Sequence, residues 1–275
     1  MGAAGPVGQP TRGTTGTNRL RRNDRWIAAS EAFRTASDPL VIDLGFGASG
    51  VTAFELAQRL RRKRADAEVI GLELDPARVA TAQTQLEEVR AGRTPFAADL
   101  SVSFARGGFE VPLPGARRPA IIRAMNVLRQ YDESDVADAW MRVASRLAPG
   151  GLLIEGTCNE IGRVASWVDV PPGGVPVRFT IALRLADLEH PSVVAERLPK
   201  ALIHRNVPGE RVHDLLVALD REWDHAAPLS TFGPVQRWLA TVAALKAQGI
   251  PVQGSKSRWR LGELTVPWTT VAPAS

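Results

Sequence analysis

The chain has 275 residues, 44% of them hydrophobic, so it can bury a full core as one domain or as one domain with an elaboration. It has no apolar run of about 18 residues, no basic and apolar leader and only one cysteine, Cys158. These features exclude a membrane span, a signal peptide and an internal disulfide and predict a cytoplasmic protein, while the net charge of +5 indicates an acidic partner only weakly.

The N-terminal region divides into a polar tail and a helix. Residues 1–18 are rich in Gly, Thr and Pro, which predicts a disordered tail ahead of a single domain over residues 19–275. The apolar spacing from Asn23 to Ala36 predicts an amphipathic helix opened by an Asn23 or Asp24 cap. Two basic clusters, Arg19–Arg25 and Arg59–Arg64, either bind phosphates or are solvated helix ends.

The middle of the chain, about residues 37–170, alternates strands with helices, which predicts an α/β fold with a doubly wound, mostly parallel sheet. The predicted strands are Leu40–Leu44, Glu68–Glu73, Ser101–Ala105, Ala120–Met125 and Leu152–Thr157. The predicted helices between them are Val51–Arg62, Pro76–Val89 and Asp132–Leu147.

The pattern changes after residue 174. Val177–Leu185 and Trp259–Trp268 have the alternation of strands, and two helices are predicted between them, at Glu210–Trp223 and Pro234–Gln248. We expect these helices to form a cap or a dimerisation element, with a homodimer through residues 190–255, rather than an independent domain.

A glycine-rich turn follows the first strand. The spacing Gly45-x-Gly47-x-x-Gly50 fits a dinucleotide site, in which the turn and the following helix N-terminus hold a pyrophosphate. Asp43 at the end of that strand would repel a pyrophosphate but would tolerate a cationic ligand without phosphate, such as S-adenosylmethionine. Glu73 after the second strand suits ribose hydroxyls, because a carboxylate accepts two hydrogen bonds.

Several segments, in order and spacing, resemble the class I S-adenosylmethionine-dependent methyltransferases. They are Val41–Gly50, Gly71–Pro76, Arg106–Glu110, Ala124–Leu128 and Leu147–Ile154. The resemblance implies a Rossmann-like seven-stranded sheet with helices on both faces, which ends in an antiparallel hairpin that here carries a helical insertion, within about residues 175–270. It implies a cofactor site formed by Asp43, Gly45, Phe46, Gly47, Gly50, Glu73, Leu74, Gly108, Phe109 and Asn126. Family members often have an acid at the position of Gly108 to bind the adenine amino group, so this chain departs from the pattern there.

In this family the methyl acceptor binds past the fourth strand. Catalytic candidates there and after the fifth strand are Asn126, Arg129, Tyr131 and Glu155, and no metal cluster is indicated by the scattered histidines. Guanidinium groups favour an anionic acceptor, and the candidates for this contact are Arg22, Arg25, Arg123 and Arg129. The alternative is that Arg123 and Arg129 are structural salt-bridge partners.

The leading hypothesis is therefore a methyltransferase that uses S-adenosylmethionine and modifies a small anionic metabolite or RNA. Two alternatives remain open: an NAD-dependent oxidoreductase, which would use the same glycine spacing, and a non-catalytic binding protein that retains the fold.

Overall fold

The computed structural model describes residues 6–9, 15–115 and 117–274. The chain divides into two compact units. The first comprises the described residues up to Glu155 together with 160–162 and 170–175, and the second comprises 156–159, 163–169 and the described residues from 176 onward.

The first unit contains the α/β core. Its strands are β1 (Leu40–Leu44), β2 (Glu68–Glu73), β3 (Val102–Arg106), β4 (Ile121–Met125) and the first part of β5 (Leu152–Cys158). Its helices are α1 (Arg21–Ala29), α2 (Glu31–Arg34), α3 (Val51–Leu60), α4 (Pro76–Arg90) and α5 (Val136–Ala144). β1 pairs in parallel with both β2 and β4, and β2 pairs in parallel with β3.

The second unit carries the remaining strands. These are β6 (Val164–Val170), β7 (Arg178–Leu183) and β8 (Glu263–Pro267), which pair antiparallel in succession. Between β7 and β8 lie α6 (Lys200–Ile203), α7 (Arg211–His225), α8 (Pro234–Ala247) and α9 (Lys256–Trp259). Trp223 and Trp238 bury their rings between α7 and α8, with centroids 6.3 Å apart.

The predicted α/β class with a mostly parallel sheet is confirmed, but the expectation of seven strands is wrong. In the described residues the sheet has eight strands in the order β3-β2-β1-β4-β5-β6-β7-β8. The strand that sequence reasoning missed is β6, which is buried along nearly its whole length and therefore lacks the alternation of a half-exposed strand. Turn signals bound this strand in the sequence: Gly162, with φ 65°, precedes it, and Pro171-Pro172-Gly173-Gly174 follows it.

The N-terminal helix also differs from its prediction. α1 begins two residues earlier than expected, and its N-cap is Leu20, without a side-chain hydrogen bond. The predicted Asn23 or Asp24 cap is wrong, because both residues lie inside the helix with buried side chains. Ser30 separates α1 from α2, and its hydroxyl accepts from the Phe33 amide at 3.3 Å.

The described part of the segment predicted to be a disordered tail makes defined contacts. Residues 1–5 and 10–14 of that prediction lie outside the described residues. The Thr15 hydroxyl donates to the Phe46 carbonyl at 3.0 Å, and the Asn18 amide donates to the Glu55 carboxylate at 2.8 Å. Thr15 and Asn18 are thus held by hydrogen bonds to other residues of the first unit, and the disorder of the tail as a whole stays a prediction.

None of the helices in the described parts of the chain has the length and apolar character needed to cross a membrane.

Candidate functional site

The glycine turn after β1 and the acid at the end of β2 are joined directly. Gly45 and Gly47 have φ values of 70° and 84°, which residues with a Cβ rarely adopt. The Gly45 amide donates to the Leu72 carbonyl at 2.7 Å, which holds the turn against β2. The Gly47 amide donates to Glu73 Oε2 at 3.0 Å, so the turn and the carboxylate are held together directly.

The Glu73 carboxylate is buried and accepts hydrogen bonds from backbone amides. It is 1% exposed, and its Oε1 accepts from the Leu74 amide at 2.9 Å. Arg78, in the first turn of α4, places Nη1 3.6 Å from Glu73 Oε2. The carboxylate charge is therefore supported by two amides and a guanidinium, and the group retains acceptor capacity for a hydroxyl.

Asp43 occupies a different environment from the one expected. Its Oδ1 accepts from Arg123 Nε at 2.9 Å and its Oδ2 from Arg123 Nη2 at 2.6 Å, a bidentate pair between neighbouring strands β1 and β4. The Thr52 hydroxyl also donates to Oδ2, at 3.2 Å. Arg123 is fully buried, so the alternative of a structural salt-bridge partner describes this arginine.

A second acid completes the network around Arg123. Asp24 of α1 is fully buried and accepts from Arg123 Nη1 and from Arg59 Nη1. Burial raises the pKa of Asp24 to about 6, against the opposing charges of Arg123 and Arg59. Burial alone would lower the pKa of Arg123, but Asp43 and Asp24 outweigh it and the pKa is raised.

The loop after β3 supplies both a donor and an acceptor. The Gly108 amide donates to Glu110 Oε1 at 2.9 Å, which orients that carboxylate back over the loop. An acid, Glu110, therefore lies two residues after Gly108, where the resemblance implies that family members often have one. Phe109 is buried and its ring lies 5.4 Å from that of Tyr131.

Phe46, expected beside the cofactor, has its side chain in the core, and its contact with a cofactor stays a prediction. Its side chain is 4% exposed and its ring packs edge-on against Phe104 with centroids 5.1 Å apart. Phe104 also packs against Phe54, at 5.3 Å. A Cβ at Gly50 would lie 2.5 Å from the Phe104 ring, so this glycine permits close packing beneath the turn.

The segment after β4 holds the candidates for acceptor binding. Asn126 directly follows the strand and has φ 62°, a strained conformation that is common at functional sites. Arg129 is exposed on the following short helical turn, Leu128–Gln130. Tyr131 is buried, and burial raises the pKa of its hydroxyl. These three candidates lie together at the carboxyl end of β4.

Glu155 does not lie at that edge. It sits in the middle of β5, 1% exposed, with Oε2 accepting from Trp140 Nε1 of α5 at 3.2 Å. Its Oε1 has no hydrogen-bond partner among the described residues. Burial raises the pKa of Glu155 to about 8, so the carboxyl is largely neutral at pH 7.

The basic clusters are mostly engaged within the first unit. Arg22 is buried and its Nε donates to the Gly162 carbonyl at 3.2 Å, whereas Arg25 is exposed. Arg61 pairs with Asp99 at 2.7 Å and Arg64 pairs with Asp66. For Arg59–Arg64 the structure thus corresponds to the alternative of a solvated helix end stabilised by acids.

Sequence reasoning missed three residues of the site. Arg78 lies beside Glu73, and Gln85 Oε1 accepts from the Gly50 amide at 2.9 Å. Glu110 lies within the loop after β3 and accepts from the Gly108 amide. The sequence does contain a signal for Glu110, because it is an acid two positions beyond the glycine where an acid was expected. Arg78 and Gln85 had none, because both reach the turn from α4 through tertiary packing.

No protein-family model matches this chain, and no curated protein matches it. Among similar solved structures, the CcbJ methyltransferase from Streptomyces caelestis is 18% identical, with 61% of this chain and 71% of that one covered and a TM-score of 0.38. The mitomycin 7-O-methyltransferase MmcR is 22% identical, covering 50% of this chain and 35% of its own, with a TM-score of 0.36. Human N-acetylserotonin methyltransferase, crystallised with SAM, is 22% identical, covering 50% and 34%, with a TM-score of 0.35. This chain thus spans about a third of the length of the latter two.

Proposed function

We propose that this protein is an S-adenosylmethionine-dependent methyltransferase that binds its cofactor at the carboxyl ends of β1, β2 and β3. The observation that carries the proposal is the buried Glu73 carboxylate joined to the glycine turn through the Gly47 amide. It lies where ligands bind in open α/β sheets, at the point where the strand order reverses between β1 and β4. An acid in that position is suited to the two hydroxyls of a ribose.

The residues present fit the nucleoside half of this cofactor. Glu73 would hold the ribose, and the Phe109 amide with the Glu110 carboxylate would hold the base. Asp43 is assigned a supporting role, because both of its oxygens already accept from Arg123 and the pair is neutral as a unit. The bound cofactor supplies an activated methyl group on a cationic sulfur.

An NAD-dependent oxidoreductase is less consistent with the turn. A pyrophosphate needs free amides at the start of α3. The Gly50 amide already donates to Gln85 Oε1 at 2.9 Å and the Val51 amide lies 3.4 Å from the Ser49 hydroxyl. These contacts favour a ligand without phosphate. The charge of Asp43 does not discriminate between the two ligands, because Arg123 compensates it.

The chain's own contribution to methyl transfer is orientation of the acceptor and exclusion of water. Asn126 and Arg129 would position the acceptor at the end of β4, and the exposed guanidinium of Arg129 favours an anionic group. A small anionic metabolite is favoured over RNA, because Arg22, Arg61 and Arg64 of the basic clusters bind groups of the protein itself.

The test is calorimetric titration with S-adenosylmethionine, S-adenosylhomocysteine and NAD. We expect micromolar binding of the first two, no binding of NAD, and a loss of at least about tenfold in Glu73→Ala, since two charge-assisted hydrogen bonds are removed. Glu87→Ala is the matched control, because this acid is exposed further along α4 and makes the same change of side chain away from the turn. Binding of NAD alone would support the oxidoreductase. If none of the three ligands bound, a non-catalytic binding protein would be supported.

A further inference from the structure

Residues 6–9 lie against the loop that follows β3. The Val7 amide donates to Glu110 Oε2 at 2.8 Å, and the Val7 carbonyl accepts from the Phe109 amide at 2.9 Å. Because Glu110 Oε1 is held by the Gly108 amide, its second oxygen is the one that faces this segment. Val7 therefore satisfies both the Phe109 amide and the free oxygen of the Glu110 carboxylate.

The hydrogen-bonding groups of Val7 match those of adenine. The Watson–Crick edge of adenine has an amino donor beside a ring-nitrogen acceptor, and Val7 has an amide donor and a carbonyl acceptor. A carboxylate next to a backbone amide can bind either pair. Glu110 and the Phe109 amide thus form a recognition site for an adenine edge, and in this structure Val7 occupies that site.

The segment also fills the surrounding space. A Cβ built at Gly8 would lie 3.1 Å from the Tyr131 hydroxyl, 3.3 Å from Leu74 and 4.0 Å from the Phe109 ring. A Cβ at Gly108 would lie 2.0 Å from the Val7 carbonyl oxygen, so only glycine allows the approach. The Gln9 amide donates to the Tyr131 hydroxyl, and Gln130 Nε2 donates to the Gln9 carbonyl at 3.0 Å.

We propose that residues 6–9 are an intramolecular plug that occupies the place of the cofactor's adenine ring, with Val7 and the base competing for Glu110 and the Phe109 amide. This inference rests on the proposed function. Residues 6–9 are half-buried or exposed and are held mainly by the hydrogen bonds described above, so a ligand that offers the same bonds can displace them. The apparent affinity for the cofactor is lowered by the fraction of molecules in which the plug is seated.

The variant Gly8→Val is designed to unseat residues 6–9 while leaving the residues of the site beneath them unchanged. Gly8 has φ 136°, a conformation that a β-branched residue avoids, and the added atoms would crowd Tyr131 and Leu74. We expect calorimetry to show S-adenosylhomocysteine binding about 3- to 10-fold tighter to Gly8→Val than to the unaltered chain. Gly92→Val is the matched control, because Gly92 also has a positive φ, 71°, but a Cβ added there would meet no atom of the described residues within 4 Å. Its affinity should be unchanged.

A second variant tests whether Glu110 recognises the adenine amino group. Glu110→Ala should weaken S-adenosylhomocysteine binding in the Gly8→Val background and should reduce the preference for it over S-inosylhomocysteine, which lacks the amino group. Equal or weaker binding by Gly8→Val would overturn the plug while leaving the proposed function intact. If neither the unaltered chain nor any variant bound S-adenosylhomocysteine, both the plug and the proposed function would be overturned.

Discussion

Arg123 lies between two carboxylates at the carboxyl edge of the sheet, and its buried charge compensates both. It accounts for the presence of Asp43 and Asp24 in an interior where an unpaired charge would be costly. An acid at the end of β1 is therefore compatible with a structural role, and its charge alone does not define the ligand.

Removing this guanidinium should destabilise the fold strongly. Arg123→Met leaves two carboxylates buried without their main partner, and we expect a loss of about 3–5 kcal/mol in the free energy of unfolding, measured by urea denaturation. Arg90→Met, at an exposed position on α4, is the control and should change stability by less than about 0.5 kcal/mol. A loss below about 1 kcal/mol for Arg123→Met would contradict this account of the network.

Glu155 should make stability depend on pH. Its folded-state pKa, about 8, lies above the ordinary value of 4.5, so the folded protein retains a proton that the unfolded chain releases. The resulting stability is fully present below pH 4.5 and is lost between pH 4.5 and about 8. Glu155→Gln should remove this dependence, at most about 1.4 kcal/mol per pH unit, in urea denaturation between pH 5 and 8.

The control for this measurement is Glu87→Gln, a change of the same kind at an exposed position of α4, which should retain the slope of the unaltered chain. If the slopes for Glu155→Gln and the unaltered chain coincide, Glu155 is not neutral in the folded protein.

At the scale of elements, the contact of β2 with the glycine turn depends on the absence of a side chain at Gly71. A Cβ there would lie 2.5 Å from the Phe104 ring and 2.9 Å from the Phe46 ring. Gly71 and Gly50 thus let the strand and α3 pack around Phe104, and the turn is supported by aromatic packing as well as by hydrogen bonds.

Gly71→Ala should therefore cost about 1–3 kcal/mol in the free energy of unfolding, because Phe104 must leave its preferred position. Shortening the opposing ring should relieve the crowding, so Gly71→Ala with Phe104→Leu should lose less than the sum of the two single changes. A coupling of about 1 kcal/mol in a double-mutant cycle is expected. Strict additivity would show that the two residues do not crowd each other.

At the scale of the molecule, the proposed chemistry is confined to the first unit. The glycine turn, Glu73, the loop with Glu110 and the segment after β4 all belong to it. The second unit contains β6 to β8 and the helices between β7 and β8, and it supplies none of the residues proposed to hold the cofactor. The homodimer through residues 190–255 stays a prediction.

Local patterns in the sequence determined the strands and helices of the core. Apolar runs bounded by Gly, Pro and acidic residues located β1, β2 and α4 to within a residue, because strand and helix periods and capping preferences are short-range effects. The same patterns located the turn at Gly45–Gly50 and the acid at Glu73. They failed at β6, where burial removes the alternation that identifies a strand.

Only the tertiary structure decided what each charged residue contacts. Asp43 and Arg123 are 80 positions apart, and Asp24 and Arg123 are 99 apart, so no local signal relates them. The pairing of Val7 with Glu110, across 103 positions, is equally invisible in the sequence. A side chain's charge is a local property, but its partner is set by which strands and segments the fold brings together, and the partner determines whether that charge supports the fold or remains available to a ligand.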